Sequence, residues 1–171
     1  MKEKLMWLLL AALAVAGAYA TTVLATPANP PLFTGTTLAA ATFDELNIDS
    51  HSLPANLWQV GLKTKGLTDL YVQSNLWKPG GTTGWHTHPG PSLIIVTAGT
   101  ITAYDADDPT CAPHVYTAGT PGATFVDPGG GHAHVLRNED LSTDASTIAV
   151  QFLPTAAARR IDVPDPGNCP F

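Results

Sequence analysis

The sequence predicts an all-β protein, built as one small barrel or two-sheet jelly roll. Fifteen Gly and fifteen Pro in a chain of 171 residues that is 44% hydrophobic cut the sequence into short segments suited to strands and turns. Few stretches repeat apolar residues at a helical period among good helix formers. Candidate strands recur at a spacing that suits a barrel or sandwich. The length fits one domain plus a leader, and it is enough to bury a real core.

The elements follow in order. Lys2 and Lys4 precede an apolar run from Leu5 to Ala18, and Ala18-Tyr19-Ala20 places small residues at a cleavage site. Residues 1–20 are read as a signal peptide, with Val23-Leu24-Ala25 as a second cleavage position. The run is short for a membrane span. Left uncleaved, it would tether the protein by its N-terminus. No cysteine lies near it, which argues against a lipid anchor. Residues 21–37, rich in Thr, Pro and Ala, are read as a linker. A single domain is expected over 38–164, with a tail at 165–171. Strand signals fall at 38–43, 57–64, 69–77, 85–88 and 92–97. A hairpin across Gly99 leads into 100–104, followed by 113–117, 123–127, 133–137 and 147–153. A short edge strand is expected within 159–164. The segment from Thr100 to Pro121 is short, which leaves no room for an inserted lid.

Removing Lys2, Lys4 and Glu3 with the leader leaves 6 Lys+Arg against 13 Asp+Glu, a net charge of −7. That balance argues against nucleic acid or anionic lipid as a partner. Cys111 and Cys169 are the two cysteines. In an exported chain an even count suits a disulfide, here tying the tail to the loop 105–111. The expected location is periplasmic or extracellular.

The chemistry-bearing residues are histidines. His86-Thr87-His88 lies in a Gly-rich segment from Gly80 to Pro91, and His132-Ala133-His134 follows Gly129-Gly130-Gly131. In a strand, residues i and i+2 share a face, so each pair can point into one interior. Neutral imidazole is the commonest protein ligand for Zn, Fe, Cu and Ni. His51 and His114 stand outside these segments and are read as ordinary surface residues. Asp127 precedes Pro128 and is read as bonding local backbone N–H groups.

These two segments resemble the motifs of the cupin superfamily. The first motif is matched by Gly80, His86, His88 and Gly99, with Ser92 where that family usually has Glu. The second is matched by Gly122, Pro128, His134 and Asn138, with one extra residue between Pro128 and Gly131. The resemblance covers about residues 56–153, with core motifs at 80–99 and 122–138. It implies a cupin-type β-barrel (a double-stranded β-helix or jelly roll) holding one divalent metal, Fe, Mn or Zn, on His86, His88 and His134. His132 is weighed as an additional ligand, a proton donor behind the ligands, or a rim residue. Homodimers are frequent in that superfamily.

With Ser92 in place of a carboxylate, the ligand set carries no negative charge, and a +2 ion there should favour an anionic or small-molecule ligand. Three readings follow. One is an oxygenase-type enzyme acting on a small molecule at an open three-His metal. The second is a non-catalytic protein that binds a metal or a small anion. The third is an isomerase or lyase, for which His132 and Tyr104 are the candidate proton shuttles. A cavity of about 300 Å³ opening onto the histidines would favour a small-molecule site. A barrel plugged by Trp77, Phe125 or Phe152 would not.

Overall fold

A computed structural model describes residues 25–53 and 57–171. The segment read as a leader, 1–20, lies outside the described residues. Among the described residues no helix is long and apolar enough to cross a membrane. The strands are β1 (Phe33–Phe43), β2 (Asn47–His51), β3 (Gln59–Lys63), β4 (Thr68–Trp77), β5 (His86–Thr87), β6 (Ser92–Ala98), β7 (Thr100–Asp105), β8 (His114–Thr117), β9 (Thr124–Asp127), β10 (His134–Arg137), β11 (Ala145–Pro154) and β12 (Ile161–Asp162).

They form two antiparallel five-stranded sheets and a hairpin. One sheet runs β1-β4-β11-β6-β9, the other β12-β5-β10-β7-β8, and β2 pairs with β3. This is an all-β jelly-roll arrangement of the kind the sequence predicts. Two starting points differ from the sequence reading. β1 opens at Phe33, inside the stretch read as linker, because its Thr-rich sequence suits a strand and Phe33 pairs with Trp77. β2 carries Asn, Asp and Ser, which are poor strand formers. It forms through its hairpin pairing with β3.

Alternation decides what faces inward. In β11, Ala145, Thr147, Ala149, Gln151 and Leu153 are buried while the residues between them are more open. In β6, Ser92, Ile94 and Val96 are buried while Leu93 and Ile95 are exposed. Trp77, Val96, Ile101, Ala103, Leu136 and Ala145 form the apolar core. Further along the same strands the inward positions turn polar: His134 follows on from Leu136, Ser92 from Val96, and Gln151 from Ala145. The hydrophobic end anchors the two sheets, and the polar end holds the site.

The outer face of the second sheet is covered too. Trp85, Tyr104 and Val135 form a second cluster against Val163, Cys111 and Cys169. Trp85 and His86 therefore point to opposite faces, one into this cluster and one inward. Phe171 packs on Tyr104, with ring centroids 4.9 Å apart, and the Arg137 guanidinium lies 3.9 Å from the Phe171 ring centre. The Cys111–Cys169 disulfide, Cα–Cα 5.3 Å, pins this covering tail across a separation of 58 residues. Asn168 adds hydrogen bonds to the carbonyls of Asp105 and Asp108. Closing a loop of this length restricts the unfolded chain by about 4 kcal/mol. Replacing both cysteines by serine should lower unfolding stability by about 2–4 kcal/mol in denaturant titrations. An unchanged midpoint would show that the tail is held by packing alone.

Candidate metal centre

The site begins with a strand pairing. His86 and His134 are register partners across β5 and β10, and their ring centroids are 4.4 Å apart. His88, just past β5, meets His86 edge-on at 4.9 Å and stands 5.8 Å from His134. Ligand nitrogens of the three rings lie within 4.8 Å of one another. His86 and His134 are almost wholly buried.

The outer nitrogens decide what the inner ones can do. His86 Nδ1 lies 2.9 Å from the Gly84 carbonyl oxygen, and His88 Nδ1 lies 2.5 Å from that of Arg159. A carbonyl only accepts, so both Nδ1 atoms carry the proton and leave Nε2 as a lone pair. His134 Nδ1 faces Asp127 Oδ1 at 3.6 Å. Burial first, then the neighbouring His134, Arg160 and His88, push His86 well below the usual histidine range. Burial likewise pushes His134 down to about 4, against the opposing pull of Asp127. Both imidazoles are therefore neutral at pH 7, the form in which imidazole binds a metal.

Ser92, at the usual glutamate position, is fully buried and accepts a hydrogen bond from Gln151 Nε2 at 3.4 Å. Its register partner on β9 is Asp127. Asp127 does bond the local backbone, accepting from the Gly129 N–H at 2.9 Å. It is also a buried carboxylate whose Oδ2 stands 3.8 Å from His88 Nε2. The three-histidine set itself carries no charge, and a carboxylate stands beside it on the strand paired with Ser92. The glycines make this possible. A Cβ at Gly129, φ +63°, would lie 2.1 Å from the Gly90 carbonyl oxygen, so only glycine lets this turn press against the first His segment. The Gly130 N–H then donates to the His88 carbonyl at 2.8 Å.

A cavity of about 270 Å³ opens onto the three histidines, lined also by Ser92, Gln151, Gln73, Asn75 and Arg159. Trp77 and Ile94 supply apolar wall. Phe125 stacks on Tyr116 at 4.3 Å instead, and the cavity stays open. Arg159, read from sequence only as part of an edge strand, is a cavity residue. Its guanidinium donates to Thr37 at 2.8 Å, to Gln151 at 3.1 Å and to Gln73, and it lies 4.3 Å from the Tyr71 ring centre. Among the described residues no carboxylate pairs with it, and its Nε is buried without a partner. Arg160, by contrast, is matched by Asp162.

The remaining candidates lie elsewhere. Tyr104 donates its hydroxyl proton to Glu139 at 2.8 Å. Burial first, and then Glu139, push its pKa up to about 12. It does not line the cavity and is no proton shuttle for it. His132 lines a second, smaller cavity, with ring centroids 6.2 Å from His134. His51 is exposed beside Asp49. His114 is half exposed beside Asp105. Asn138, fully buried, donates to the carbonyls of Trp77 and Thr143 and holds the turn after β10.

The fold and the site together make an all-β jelly roll with a buried three-histidine cluster that can hold a metal ion. Three solved structures are similar over part of this chain. A recombinant oxalate oxidase in complex with glycolate is 20% identical, with TM-score 0.48, over 78% of this chain and 56% of that one. A cupin domain from Bordetella pertussis is 16% identical, with TM-score 0.44, over 74% of this chain and 98% of that one. A cupin-like protein from Thermotoga maritima is 18% identical, with TM-score 0.45, over 56% of this chain and 65% of that one. No family model matches the sequence, and no curated protein matches it.

Proposed function

We propose that the chain binds one divalent transition metal through His86, His88 and His134, and takes a small carboxylate-bearing molecule into the cavity beside it. The observation that carries this reading is the convergence of three imidazoles on a cavity whose wall holds the unpaired guanidinium of Arg159. The donor set fits the metal: two of the rings have their Nδ1 tied to carbonyls, and borderline nitrogen ligands suit Fe, Mn, Co or Zn. A bound ion would supply Lewis-acid or redox chemistry at open coordination positions.

The chain's own residues set the rest. Arg159 is held over the Tyr71 ring and braced by Gln73 and Gln151, so its charge is fixed at the cavity wall where a carboxylate can pair with it. The cavity lies just under the lower end of the range for drug-sized ligands, about 300 Å³, which suits a molecule of few heavy atoms. Among the described residues no ionisable acid–base side chain other than the histidines lines it; its other charged residues are Arg159 and Arg160. That disfavours the isomerase or lyase reading, which needs a proton shuttle, and favours oxygenase-type chemistry. The disulfide supports an exported location.

Small carboxylates such as glycolate and oxalate serve as probes in calorimetric titrations of the metal-loaded protein. Arg159→Met keeps the stem that packs on Tyr71 and removes the charge. It should weaken binding about 10–100-fold, as expected for loss of a charge-assisted hydrogen-bond pair. Equal affinity in the variant, or no binding by the loaded wild type, would defeat the carboxylate reading.

A further inference from the structure

His134 is a wall between two cavities. One face closes the cavity that holds His86 and His88. The other closes a second cavity of about 160 Å³ lined by Asp105, His114, Asp127 and His132. Three buried polar atoms without a hydrogen-bond partner belong to the residues around this second cavity: His134 Nδ1, His132 Nδ1 and Asp127 Oδ2. Buried polar atoms are nearly always partnered, so three orphans on neighbouring residues point to a missing group. Ligand atoms of Asp127, His132 and His134 lie within 4.8 Å of one another.

The surroundings orient His132 for this. Its Nε2 faces the carboxylates of Asp105 at 3.6 Å and Asp107 at 3.9 Å. A proton on Nε2 is favoured there, which leaves Nδ1 as the lone pair. Its backbone N–H donates to the Gly129 carbonyl at 3.2 Å, in the same turn that holds Asp127.

We propose a second cation position, formed by Asp127, His132 and His134, that is an alternative to the three-histidine position. Two imidazole nitrogens and a carboxylate oxygen suit a divalent transition ion such as Zn or Co. The carboxylates of Asp105 and Asp107 beyond His132 add favourable negative charge. The two positions compete because a neutral imidazole has one lone-pair nitrogen. His134 lends Nε2 toward His86 and His88, or Nδ1 toward Asp127 and His132. The second position does not depend on the function proposed for the first.

Cobalt(II) titration of chelator-stripped protein tests this. The double variant His86→Gln/His88→Gln should still take up about one Co²⁺ per chain. Adding His132→Ala to it should weaken that uptake about 100-fold or more, as for loss of one of three ligands. Asp127→Asn, which keeps an oxygen for the Gly129 N–H, should weaken it as well. Cooperative thermal melting of each variant controls for folding. A folded double variant that binds no Co²⁺, or one whose uptake is indifferent to His132→Ala, overturns the proposal. Wild-type binding that is unchanged by His86→Gln/His88→Gln and lost with His132→Ala would defeat the three-histidine position and leave this one standing.

Discussion

Replacing His134 by alanine should cost the protein more metal affinity than any other single substitution. Structural zinc sites bind with about 10–16 kcal/mol shared over four ligands, so one imidazole accounts for about 3–4 kcal/mol. That is a loss of about 10²–10³-fold. His134 is the register partner of His86, lies beside Asp127, and lines both cavities, so its loss strips a ligand from either ion position. Competition titrations against a chromophoric chelator measure the change. An affinity within about threefold of wild type would mean that the metal sits elsewhere.

Acidifying the metal-free protein should destabilise it well before ordinary acid denaturation. His86 and His134 are held below the usual histidine range by burial, His134 at about 4. Below about pH 6.5 the unfolded chain takes up protons on these histidines that the folded chain refuses. The stability is therefore complete above pH 6.5 and is lost as pH falls toward 4. For His134 alone the span corresponds to about 3 kcal/mol. Asp69, Asp108 and Asp140, held below the usual carboxylate range first by hydrogen bonds from Thr42, Thr110 and Ser142, act in a separate window below about pH 4. Urea midpoints at pH 7.5, 5.5 and 4.5 in the presence of chelator should fall in that order. His134→Gln should flatten the slope between pH 6.5 and 4. A wild-type midpoint that does not move between pH 7.5 and 4.5 would show that the histidines are not buried as described.

The strands were legible where apolar and β-branched residues run together. The strand signals at 92–97 and 147–153 fall within β6 and β11, while the alternation that turns Ser92, Ile94, Val96 and Gln151 inward shows only in the structure. β2 was not legible, because Asn47, Asp49 and Ser50 carry no strand preference and pair only through contact with β3. Spacing let both His pairs face one interior; choosing His134 over His132 needed the motif register counted back from Asn138, and His132 lines the second cavity instead. The weight of Asp127 was not legible, since it depends on the β6–β9 register that sets it opposite Ser92. Nothing local to Asp127 reveals that register. Arg159 was hidden for the same kind of reason. Its cavity position arises because its carbonyl oxygen meets His88 Nδ1 and its side chain crosses to Gln73, both distant in sequence, as well as to Gln151 on β11. Sequence periodicity reports which face a residue takes; it does not report which strand lies opposite.

The two His-bearing segments meet around one position that can hold a metal. Equilibrium titration of the chelator-stripped protein with Co²⁺, followed by its visible absorption, tests this most directly. Uptake of one ion per chain is expected, with a nitrogen-ligand spectrum that changes on His88→Gln. A folded protein that takes up no ion at millimolar Co²⁺, or a spectrum identical in the His88→Gln variant, would contradict it.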